Sequence, residues 1–200
     1  MADKTHTILI AGGSGLVGHA AIKFAIAAGH FVIALVRRGG SLSVEGLPSE
    51  ETLKIIEVDF DALDQYQPEI SALAPNALIC ALGTTIRKAG SKDAFARVDR
   101  DYMAAFAALG RAAGASHFGL VSAVGADARS SNFYLRTKGE AEAAVRACGY
   151  LRVDNDLLAE RLVESGALDE VARLAREWFH RHLIPGYSSA PDATQGAPSA

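Results

Sequence analysis

The sequence predicts an α/β protein built on a doubly wound parallel sheet, and three observations carry that expectation. Short continuous apolar runs alternate with stretches of helical periodicity over the first 150 residues. Strand–helix–strand repetition of this kind needs helical crossovers between parallel strands, and right-handed crossovers leave the doubly wound topology as the economical one. The first apolar run ends in a glycine turn, Gly12-Gly13-Ser14-Gly15-Leu16-Val17-Gly18, placed where a Rossmann-like sheet passes from its first strand to its first helix. Finally, 200 residues, 50% hydrophobic and 22% charged, make one domain whose core needs no disulfide or metal staple.

Each element follows from its local pattern. Thr7-Ile8-Leu9-Ile10-Ala11 is a strand apolar on both faces. Residues 16–28 repeat apolar positions at helical spacing (Val17, Ala21, Phe24, Ala28), and Gly29 ends that helix. Phe31–Val36 forms the second strand and Leu53–Val58 a third, more polar one near an edge. A weaker helix spans 61–74, interrupted by Pro68. Asn76–Leu82 is the fourth strand, followed by a long helix over 93–113, a fifth strand at His117–Val121 and a helix over 135–148. Residues 1–150 thus form the dinucleotide-binding core, and 151–200 a helical segment with a loose tail belonging to the same domain.

Composition excludes several functions. A net charge of −3 argues against a protein that coats nucleic acid. No run approaches the 18 apolar residues of a membrane span. Cys80 and Cys148 have no metal-ligand spacing, no metal site is expected, and reduced thiols are the simple reading. The opening Met1-Ala-Asp-Lys-Thr-His-Thr lacks the form of a signal peptide, so the expected location is cytoplasmic.

The glycine turn fits two registers, GxxGxxG (Gly12, Gly15, Gly18) and GxGxxG (Gly13, Gly15, Gly18). Either brings Gly12, Ser14, Gly15, Leu16, Val17 and Gly18 to a pyrophosphate, since side chains there would block the tight turn and the backbone N–H groups. The second strand ends in Arg37 and Arg38 rather than an acidic residue. Two guanidiniums suit a ribose 2′-phosphate, which favours NADP(H) over NAD(H); the alternative is a pair of solvated loop charges. At the end of the third strand, Asp59 either accepts from an adenine amino group, with Phe60 beside the ring, or caps the following helix, for which Asp61 is better placed. Leu82, Gly83 and Thr84 leave the fourth strand towards the nicotinamide half.

Catalytic candidates come next. Tyr134 and Lys138 stand at i and i+4, on one face of a helix. An ammonium beside a phenol stabilises the phenolate and makes tyrosine a usable general acid near neutral pH; the same Lys138 can hold ribose hydroxyls. This spacing arises often by chance, and its place after a fifth parallel strand is what selects it. Ser122, ending the fifth strand, is either a carbonyl-polarising hydroxyl or a turn former. Ser130 and Ser131 fit helix capping or loop shaping.

These motifs resemble an atypical short-chain dehydrogenase/reductase, more narrowly the Tat-interacting-protein-like branch of NAD(P)H-binding oxidoreductases. The supporting stretches are Ile10–Gly18, Cys80–Thr85, Val98-Asp-Arg-Asp-Tyr102, Ser122–Asp127 and Ser131–Glu140, within residues 5–150. The resemblance implies NADPH as cofactor, Tyr134 and Lys138 as the catalytic pair, and action on a substrate or through protein partners. Three positions depart from the family pattern. Ala123 replaces the second serine of a pair, Asp99 stands where extended members have Asn, and Leu151–Leu158 replaces a strand leading to an Arg-Pro-Gly turn.

Three charges in Leu151–Asp156 make a poor buried central strand. Residues 157–182 read as one or two helices, acidic early and basic late, with Leu168, Val171, Ala175, Trp178 and His182 on one face, suited to packing or to a substrate lid. His180 and His182, at i and i+2, read as surface or interface residues. Two functions remain: an NADPH-dependent reductase of a small carbonyl, or a non-enzymatic NADP(H)-binding module for a protein partner. Neither involves nucleic acid or a membrane, and either suits a monomer or homodimer.

Overall fold

The computed structural model describes residues 6–43 and 51–150, together with the backbone of residues 152–156. Its strands are β1 (Thr7–Ala11), β2 (Phe31–Arg37), β3 (Leu53–Val58), β4 (Ala77–Cys80), β5 (His117–Val121) and β6 (Arg152–Asp156). They form one sheet in the order β3-β2-β1-β4-β5-β6, every pair parallel. From β1 the chain steps outward through β2 and β3, then returns to lay β4 on the other side of β1. That reversal opens a crevice at the carboxyl ends of β1 and β4, where doubly wound folds bind ligands.

Strand alternation divides the core in two. Ile8 and Ile10 of β1 join Ile22, Ala25 and Ile26 of α1 (Leu16–Ala27) on one face. Leu9 and Ala11 face the other way, into the cluster holding Leu78, Phe118, Met103 and Phe106. The latter two lie on α5 (Tyr102–Ala112), and Ala141 and Val145 of α6 (Phe133–Ala147) complete that layer. Phe106 meets Phe118 edge-on at 6.0 Å, and Phe118 meets Tyr150 at 5.1 Å. The Tyr150 hydroxyl donates to the Ala107 carbonyl at 2.5 Å, tying the end of α6 to α5.

Several boundaries differ from the sequence expectation. Residues 61–74 divide into a 3-10 segment, Phe60–Tyr66, and α2 (Gln67–Ala72). Pro68 does not interrupt a helix; it lies in the first turn of α2, where its missing N–H has no intrahelical partner to lose. The long helix over 93–113 is three pieces. After the four-residue α3 (Ile86–Ala89) come α4 (Lys92–Ala96), a π-helical turn at Arg97–Asp101, and α5. Asn132, not Ser130 or Ser131, caps α6 by accepting from the Leu135 N–H at 3.2 Å, while Ser130 accepts from the Asn132 N–H. Residues 152–156 do form a strand, paired with β5 from His117↔Arg152 to Val121↔Asp156. Among the described residues β6 ends the strand order. The helices expected over 157–182, with Trp178, His180 and His182, lie outside the described residues.

Phe106 is fully buried between α5 and the sheet. Phe106→Ala is expected to lower unfolding free energy by about 3–5 kcal/mol in urea titrations; a loss under about 1 kcal/mol would place the core elsewhere.

Candidate functional site

Tight backbone packing shapes the mouth of the crevice. Gly12 has φ +87°, and a Cβ there would stand 2.3 Å from the Ala81 carbonyl oxygen, so the turns leaving β1 and β4 touch main chain to main chain. A Cβ on Gly18 would strike the Gly12 carbonyl at 2.2 Å, whereas one on Gly13 would meet side-chain atoms alone, those of Ile22 and Leu42. The register built on Gly12, Gly15 and Gly18 is therefore the one whose glycines the backbone demands. Gly15 begins α1 with no side-chain cap, and no acidic residue occupies the first turn. Those first N–H groups are what an anionic pyrophosphate requires.

The cleft beyond this turn has a volume of about 290 Å³, near the low end for ligand sites. Its lining includes Gly12, Ser14 and Gly15 of the glycine turn, Leu82, Gly83 and Thr84 beyond β4, and Arg37 and Phe60 beyond β2 and β3. Exposed Leu16 and half-buried Val17 are not among the lining residues. Arg37 and Arg38 part company. Arg37 lines the cleft, whereas the Arg38 side chain reaches the Tyr66 hydroxyl at 3.5 Å. Asp59 is the helix cap, accepting from the Asp61 N–H at 3.0 Å. Asp61 instead accepts from Arg97 Nε and the Tyr102 hydroxyl, both at 2.8 Å. Lining residues that the sequence reading did not name as site residues include Tyr102, whose ring lies 5.5 Å from that of Phe60, and Lys88 on α3.

Tyr134, Lys138 and Ser122 are not among the residues that line the cleft. Half-buried Tyr134 packs its ring 5.8 Å from that of Phe95. Lys138 is buried, and its Nζ stands 2.6 Å from Asp99 Oδ1. The π-helical turn carries Asp99 inward to zero exposure, and its Oδ2 accepts the Thr84 N–H at 2.9 Å. Burial pushes the Asp99 carboxyl above its ordinary pKa, against the opposing pull of Lys138 and the Thr84 N–H. Cys80, beside this pair at the end of β4, is pushed up to about 12 by burial and is a neutral neighbour rather than a nucleophile.

Ser122 donates to Glu142 Oε1 at 2.6 Å, which directs its proton away from any carbonyl. Glu142 was legible only as spacing: Tyr134, Lys138 and Glu142 stand at i, i+4 and i+8 along α6. Gly139 allows the chain after β5 to meet this helix, because a Cβ there would lie 2.2 Å from the Ala128 backbone nitrogen.

Comparison with known proteins agrees with this geometry. The family described as NAD(P)H-binding matches residues 12–177. The chain belongs to the NAD(P)H-binding family. HTATIP2 of Rattus norvegicus is 40% identical over 138 residues, covering 68% of this chain and 52% of that protein. Mitochondrial FMP52 of Lodderomyces elongisporus is 35% identical, covering 70% of this chain and 60% of its own length. Mitochondrial fmp52 of Emericella nidulans is 31% identical, with 92% and 82% covered. The chain thus spans about half to three-fifths of the first two relatives. In fold, this NAD(P)H-binding chain resembles Bordetella bronchiseptica WbmH in complex with NAD+, with TM-score 0.65, 12% identity and coverage of 87% and 71%. WbmG from the same organism, in complex with NAD, gives TM-score 0.62, 16% identity and coverage of 76% and 52%. The resemblance to NAD(P)H-binding proteins of the Tat-interacting-protein-like branch, read from the motifs, agrees with the family match and with HTATIP2. The expected cytoplasmic location is contradicted: the fungal relatives are named mitochondrial proteins. Reduced thiols and a small net charge describe a chain and do not distinguish one reducing compartment from another. No helix among the described residues is long and apolar enough to cross a membrane.

Gly139→Ala is expected to cost about 1–3 kcal/mol in chemical denaturation, because main chain rather than a side-chain tip must give way. Unchanged stability would show that the loop moves aside without strain.

Proposed function

We propose that this NAD(P)H-binding protein is an NADPH-dependent reductase of small carbonyl compounds. The carrying observation is a buried ammonium, Lys138, one helical turn beyond Tyr134 and immediately behind the cleft wall at Gly83. The uncapped start of α1 and the glycine cradle fit a pyrophosphate, and Arg37 at the adenosine end fits a 2′-phosphate.

Bound NADPH supplies the hydride that reduces the carbonyl carbon. Tyr134 gives its phenolic proton to the carbonyl oxygen, the alcohol leaves, and the phenolate regains a proton from solvent. Lys138 holds the nicotinamide ribose hydroxyls and favours the phenolate by its charge. Ser122 has a supporting part in this scheme, since its proton is directed to Glu142. A second reading, a cofactor-binding module acting through a protein partner, draws on that same bond and on the neutralisation of Lys138 by Asp99.

NADPH is expected to raise the melting temperature more than NADH at equal concentration. Arg37→Ala is expected to weaken NADPH binding by about ten- to a hundredfold and NADH binding little. Equal stabilisation by the two cofactors would remove the 2′-phosphate assignment. In a screen of NADPH oxidation with aldehydes and ketones, Tyr134→Phe is expected to lower kcat by at least about a hundredfold, and Ser122→Ala by less. Turnover indifferent to Tyr134→Phe would exclude the phenol as acid, and no turnover with any carbonyl would favour the binding module.

A further inference from the structure

Among the described residues, Asp99 is the buried carboxylate and Lys138 the buried ammonium, at 1% and 8% side-chain exposure. A buried pair of this kind contributes little net stability over an apolar pair of similar volume, though breaking it is costly. Its position suggests a purpose other than stability. Asp99 uses its two oxygens on two different elements: Oδ1 faces Lys138 Nζ on α6 at 2.6 Å, and Oδ2 accepts the N–H of Thr84, a lining residue. The Lys138 ammonium, 2.6 Å away, is the group that faces Oδ1. No side chain separates the pair from the cleft wall, because a Cβ on Gly83 would stand 3.6 Å from Oδ1 and 3.9 Å from Nζ. Other charges nearby are engaged elsewhere: Arg97 with Asp61, and Arg100 with Asp101 and Glu140.

We propose that Asp99 is a positioning residue for the dinucleotide: its carboxylate joins the Lys138 ammonium to the Leu82–Thr84 wall, so that Lys138 meets the cofactor at a fixed distance from that wall. This rests on the reading of Lys138 as a cofactor-binding residue. Asp99 itself touches no ligand in this arrangement. Its effect on affinity passes through Lys138, and removing Lys138 removes it.

A double-mutant cycle on NADPH affinity tests this, with dissociation constants from nucleotide fluorescence and folding checked by circular dichroism and melting. Asp99→Asn and Lys138→Met are each expected to weaken NADPH about tenfold, with the double variant no weaker than Lys138→Met alone. A structural role would instead lower the melting temperature and subtract the same affinity in both backgrounds, and such additivity would overturn the proposal. If Lys138→Met weakens NADPH while folded Asp99→Asn binds normally, the positioning role alone is overturned. If Lys138→Met leaves affinity unchanged, both the cofactor role of Lys138 and this proposal are overturned. Should Asp99→Asn fail to fold, Lys138→Met and the double variant, neither of which encloses an ammonium, decide it: equal affinities support the proposal, and a further tenfold loss overturns it.

Discussion

An ammonium enclosed by protein keeps its charge only when a counter-charge is enclosed with it, and here that requirement joins three parts of the chain. Lys138 lies in α6, Asp99 in the turn between α4 and α5, and Thr84 just beyond β4, which itself pairs with β5. The carboxylate is where these meet. A thiol that stays protonated, Cys80, sits beside the pair without adding a charge. With the pair in place, the helix bearing Tyr134 has a defined relation to the wall of the cleft.

The sheet does the rest of the positioning. Because β4 returns to the side of β1, the two turns that leave those strands are brought face to face, and main chain meets main chain at Gly12 and Ala81. The alternation of Ile8 and Ile10 against Leu9 and Ala11 holds β1 between two separate layers of core, so the turn it carries is anchored from both faces. The glycine-turn side of the cleft thus rests on backbone geometry, and the Lys138 side on paired side chains.

That division explains what the sequence disclosed. Continuous apolar strands, the glycine turn and the Tyr134–Lys138 spacing are local patterns, each imposed by neighbours a few residues away. Partner choice is not local. Asp59 and Asp61 look equivalent as caps, and the fold assigns capping to the first and Arg97 and Tyr102 to the second. Ser122 reads locally as a polarising hydroxyl or as a turn former, and its hydrogen bond to Glu142, 20 residues on, belongs to the fold alone. The charges of 152–156 counted against a strand, yet the backbone there pairs in register with β5, a long-range partner that no local pattern names. No pattern announced the π-helical turn, since helical periodicity continues on either side of it.

That turn has a consequence for descent. A π-helical turn amounts to one residue inserted into an α-helix. Phe95 before it and Met103 and Phe106 after it are fully buried, which sets the rotation of each flanking helix independently. A single-codon deletion within Arg97–Asp101 would restore the ordinary period and swing residues about 100° around the axis. The core would keep its helices while the carboxylate left Lys138. One heritable step therefore separates a chain whose lysine is tethered to the cleft wall from one whose lysine is untethered.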